Sequence, residues 1–155
     1  MAITLADLVP LMPLLITTLT VVIAMTAVGV KRHYATVAGI TIIGLLFAAI
    51  SSLLLMPAAN YQVTPLLIID EYTLFFTIIT CCSAVSIAIL SYQYLSDLDD
   101  YKEEYFLLLG LATIGAIIMV SSNHYVSAIL GIETLSMSLS GMVAYPSHSD
   151  KSRRW

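Results

Sequence analysis

The sequence predicts an all-α, polytopic membrane protein with about five transmembrane helices, and three observations carry that reading. Hydrophobic residues make up 59% of the 155 residues and charged residues only 10%, with a mean hydropathy of +0.96. A soluble domain carries roughly 25% charged residues. The apolar residues gather into five long runs, each close to the ~20 residues that cross a ~30 Å hydrocarbon core at ~1.5 Å per residue. The charges collect at the ends of those runs. Such a composition excludes a lone soluble domain, a disordered chain, a basic nucleic-acid binder and a disulfide scaffold.

The runs are expected over residues 8–30, 35–56, 72–95, 105–122 and 126–145, with residues 146–155 as a polar, basic tail. None alternates with period two over its length, and backbone in lipid must satisfy its own hydrogen bonds, so each run reads as a helix. The first run lacks a basic start and is too long for a signal-peptide core. Thr4 and Asp7 stand at capping-box spacing, with Asp in place of the usual Glu or Gln. Pro10 fits a first turn. Pro13 kinks the helix unless the helix begins only near Leu11.

Between the second and third runs, Val63-Thr64-Pro65-Leu66-Leu67-Ile68-Ile69 is apolar and β-leaning but too short to span. It reads as an extended segment or short hairpin packed at the membrane surface. The segment from Ser96 to Glu104 is an acidic exposed loop. In the fourth run, Gly110, Ala112, Gly115 and Ala116 are small enough to let helices approach closely.

Basic residues set the expected orientation. All six lie in three places: Lys31 and Arg32 after the first run, Lys102 after the third, and Lys151, Arg153 and Arg154 after the fifth. Alternating helices put those three places on one side. The N-terminus, the Ala58–Glu71 connection and the Ser121–Tyr125 loop hold none. By the positive-inside rule, the N-terminus is expected outside and the C-terminus in the cytoplasm. The nine tyrosines lie in loops or near run ends, where an apolar ring and a wet hydroxyl are both served.

One acid breaks the pattern. Glu133 lies inside the fifth run, where an ionisable group costs at least about 2.5–3.5 kcal/mol. Ser136 and Ser140, at i+3 and i+7, fall on roughly its face and are expected to support it by hydrogen bonding. That stripe is expected to face protein rather than lipid. A carboxyl balanced between desolvation and a nearby cation can take up and release protons, which is the chemistry of a proton relay. No Lys or Arg lies in any of the five runs, so a charged partner would belong to another helix. The plainer alternative is a protonated Glu bonded to a neighbouring helix.

Other candidates read as structural. Asn123 and His124 precede the fifth run and suit a solvated or capping role, His33 flanks a run end, and His148 lies in the tail. Cys81 and Cys82 are adjacent, which is no metal spacing. The acidic cluster from Asp97 to Glu104 lacks the calcium-loop pattern. No phosphate loop, dinucleotide fingerprint, zinc set or nucleophile triad stands in the sequence.

Four stretches carry a family resemblance: Leu8-Val9-Pro10-Leu11-Met12-Pro13-Leu14-Leu15-Ile16; Val63-Thr64-Pro65-Leu66 leading to Asp70; Tyr101-Lys102-Glu103-Glu104-Tyr105-Phe106-Leu107-Leu108; and Ser122-Asn123-His124 through Leu130-Gly131-Ile132-Glu133. In that order and spacing the chain resembles the N-terminal part of the antiporter-like subunit N family of bacterial respiratory complex I, the NADH:quinone oxidoreductase. The resemblance implies a multi-pass subunit of the bacterial inner membrane that contributes to proton translocation coupled to quinone reduction. It implies other membrane-arm subunits as partners. It also implies a non-redox subunit with no cofactor in this chain, NADH and quinone being used elsewhere in the complex. The family's relay glutamate matches Glu133, and its partner lysine lies on a later helix.

The family continues beyond a fifth helix, whereas Pro146 to Trp155 departs from its pattern. The expectation is a frameshifted or prematurely ended reading frame. The rival readings are a fragment of a cation/proton antiporter subunit and a structural membrane piece without transport of its own.

Overall fold

A computed structural model describes residues 9–30, 33–58, 61–64, 66–95 and 103–150. The elements are α1 (Met12–Val30), α2 (Tyr34–Leu55), β1 (Tyr61–Thr64), β2 (Leu67–Ile69), α3 (Glu71–Leu95), α4 (Glu103–Ser121) and α5 (Tyr125–Asp150), with a 3-10 turn at Met56–Ala58 closing α2. All five helices are long and apolar enough to cross a membrane; in α5 the spanning part is Tyr125–Ala144.

Local chemistry explains the helix ends. Pro13 is the second residue of α1, where a missing N–H and a fixed φ cost nothing, so the later start near Leu11 is the one adopted. Asp70 caps α3: its side chain accepts the Thr73 amide at 2.9 Å and the Thr73 hydroxyl at 2.8 Å. The Thr73 N–H and hydroxyl hold the Asp70 carboxyl below the usual carboxylate range, against a smaller opposing effect of burial. α5 ends at Asp150, beyond the expected residue 145, and carries Pro146 within it. Polarity after Ala144 therefore marks where the apolar span stops rather than where the helix stops. The Thr4–Asp7 capping box and all six basic residues lie outside the described residues.

Successive helices run antiparallel, and the fifteen residues between α2 and α3 hold a 3-10 turn and a hairpin. The β1–β2 hairpin is antiparallel, with Tyr61 opposite Ile69 and Gln62 opposite Ile68, and a bulge between Gln62 and Thr64. It lies at the end of the bundle that also holds the α4–α5 connection, since Leu67 bridges to Ser122. The expected hairpin is thus present. Aromatic residues mark the opposite end. There Tyr34 of α2 stacks on Tyr92 of α3 at 4.8 Å between centroids, donates a 2.6 Å hydrogen bond to the Tyr92 carbonyl, and meets Phe106 of α4 edge-on.

Small residues make up much of the interior. Ala24, Val37, Ala38, Leu45, Ala84, Val85, Ala88, Leu95, Phe106 and Leu109 form the main core, while large apolar side chains such as Leu19, Phe47, Leu54, Leu90 and Val143 point outward. In water that arrangement would be inside out. In lipid, apolar surface gains nothing from burial, and helices associate where small residues permit contact. The buried polar groups are hydroxyls, and most bond to their own helix. Thr17, Thr20, Thr41, Ser52, Thr77, Thr113, Ser121 and Ser138 each donate to a carbonyl four residues back. No buried side-chain N or O among the described residues lacks a partner.

Candidate functional site

The site is built on α5, whose placement is decided by glycine. A Cβ on Gly131 would sit 2.7 Å from the Met119 amide nitrogen and 2.9 Å from the Gly115 carbonyl oxygen. A Cβ on Gly115 would sit 2.7 Å from the Leu135 nitrogen and 2.9 Å from the Gly131 oxygen. The two backbones are therefore in reciprocal contact, and only glycine fits on either side. Gly110 and Ala112 are also buried on α4. The small residues of α4 were legible as a packing face. Their spacing does not name the counterpart on α5; a glycine inside an apolar span is the signal that points to Gly131.

That contact fixes the rotation of α5. At about 100° per residue, Glu133 stands about 200° around the helix from Gly131. It therefore faces away from α4. Gly131, Ser127 and Ser138 are buried, whereas Glu133, Ser136 and Ser140 are exposed. The three candidate residues do share one face, as their spacing predicts. Within these five helices, however, that face does not point to the bundle interior, which corrects the expectation that it faces protein here. The reason is steric: the glycine face of α5 packs against α4 and turns the carboxyl outward.

Depth follows from position. Glu133 lies eight residues after Tyr125, about 12 Å along a spanning segment of about 30 Å. Ser140 does not support the carboxyl by a hydrogen bond. Its hydroxyl donates to the Ser136 carbonyl at 2.8 Å, within the helix.

Asn123 and His124 serve the start of α5. The Asn123 amide donates to the Leu66 carbonyl at 2.9 Å, and the His124 ring nitrogen Nδ1 accepts the Val126 amide at 3.4 Å. His124 thus has the capping role expected for it. At the opposite end a cleft of about 450 Å³ opens between α3 and α5, lined by Ser91, Tyr94, Leu95, Tyr105, Leu139 and Met142 among others. Ser91 donates to the Tyr105 hydroxyl at 3.1 Å on its wall. Cys81 is buried in α3, and its neighbour Cys82 is exposed.

Chemically, the face offers one carboxyl near the middle of a span, beside two hydroxyl-bearing residues, with no covering helix from this set of five. It can exchange a proton with water or with a basic group brought to that face from elsewhere. No known protein-family model matches the chain.

Proposed function

We propose that the chain is part of a membrane-arm subunit of a proton-pumping NADH:quinone oxidoreductase, in which Glu133 relays protons. The observation that carries this reading is the carboxyl near the middle of α5, turned away from the α4 contact. A mid-span acid on an outer face costs at least about 2.5–3.5 kcal/mol unless protein or water covers it. That cost favours a further helix or an aqueous path against the Glu133 face. Family resemblance supplies the rest of the reading: the bacterial inner membrane, other membrane-arm subunits as partners, and a cationic partner on another helix. On this reading the N-terminus is outside and the C-terminus cytoplasmic, in accord with the six basic residues at connections of one side.

The test has two arms. Copurification of the chain with NADH dehydrogenase activity separates this reading from a free-standing cation/proton antiporter. In the assembled complex, Glu133→Gln removes the titratable group while keeping shape. NADH-driven proton pumping is expected to fall at least tenfold with assembly unchanged. Full pumping by that variant would sink the relay role and leave a structural membrane piece.

A further inference from the structure

The hairpin and the first turn of α5 meet around the Leu66 carbonyl. The Leu66 carbonyl accepts the Asn123 amide at 2.9 Å and the Ser127 hydroxyl at 3.0 Å, and the same hydroxyl lies 2.7 Å from the His124 carbonyl. Next to it, Leu67 and Ser122 form an antiparallel bridge. The other end of the hairpin is tied to α3: Thr73 Oγ1 lies 3.3 Å from the Ile68 carbonyl and 2.8 Å from Asp70 Oδ1, and Asp70 caps the helix. The eight-residue stretch Leu66–Thr73 thus links the first turn of α5 to the first turn of α3.

We propose that the β1–β2 hairpin is a strap that ties the start of α5 to the start of α3 through the Leu66 carbonyl, so that the hairpin and the first turn of α5 open together or not at all. The inference stands on this geometry and requires no proton transfer. Two features make the strap the hold at this end. At the opposite end a cleft of about 450 Å³ lies between α3 and α5. One turn beyond Ser127, α5 is gripped independently by the Gly131–Gly115 contact. Release of the strap therefore frees the first turn of α5 and stops at Gly131.

Hydrogen exchange on the full chain in lipid nanodiscs tests this. In Ser127→Ala, exchange over 61–69 and over 122–128 is expected to rise together by about fivefold, the size of one net hydrogen bond. Exchange over 131–138 is expected to stay unchanged. No change, or a rise on one side only, overturns the strap. If Ser127→Ala fails to accumulate, the double variant Leu67→Cys with Ser122→Cys decides. An antiparallel pair stands about 4.5–5.5 Å apart at Cα, within disulfide reach. Mild oxidation is expected to join the two cysteines, and failure to cross-link overturns the proposal.

Discussion

The two faces of α5 belong to one helix and meet opposite surroundings. One face presents Gly131 to Gly115 so closely that a methyl group cannot be inserted on either side. The other presents Glu133, Ser136 and Ser140, all exposed. In water the second face would be ordinary and the first would need an explanation. In a bilayer the order reverses, because close packing of small residues is how helices associate. A carboxyl at that depth is the costly feature. Packing thus explains where α5 sits, and it leaves the carboxyl as the part whose presence packing does not explain.

Damage to the packed face is expected to have the largest effect on folding. Gly131→Leu must push α4 and α5 apart along their backbones. We expect a loss of about 3 kcal/mol or more, above the usual range for overpacking, because the obstruction is backbone and cannot rotate away. Reversible unfolding in mixed micelles measures it. Gly115→Ala tests the same contact with one methyl, with an expected loss of roughly 1–3 kcal/mol. An unchanged unfolding midpoint in both variants would mean that the helices do not touch as described.

A second carboxyl sharpens the contrast. Asp70 stands just ahead of α3 and accepts two hydrogen bonds from Thr73. Asp70→Ala is expected to lose about 1 kcal/mol, as for an N-cap. Its carboxyl is held below the ordinary range, so its stabilisation is full above the unfolded value near pH 4. That stabilisation fades as pH falls through the lower folded value. The difference between wild type and Asp70→Ala should therefore shrink in acid. A difference that grows on acidification would show that the sign is wrong. Smallest of all is the expected folding effect of Glu133→Gln: within about 0.5 kcal/mol, as for a residue outside the packed surfaces.

Much of this was legible in the sequence, for identifiable reasons. Span length and apolarity are one-dimensional properties, so the five helices were readable to within a few residues at most ends. The hairpin was readable because Val63 to Ile69 is too apolar for a free loop and too short to cross. The rotation of α5 was harder to read. A glycine and a polar stripe each claim an interface, and spacing alone does not say which one meets α4. The Leu66 carbonyl was not readable at all, because backbone acceptors carry no residue signature. Residues 146–155 read as a tail because they are polar and basic, yet α5 continues through Pro146 to Asp150.

On the proposed function, α5 separates its tasks by face, with packing on one side and proton chemistry on the other. The most direct test measures stability and NADH-driven proton pumping side by side in Glu133→Gln within the assembled complex. An unchanged unfolding midpoint is expected together with pumping reduced at least tenfold. A variant that loses stability but keeps its pumping per assembled complex would contradict it.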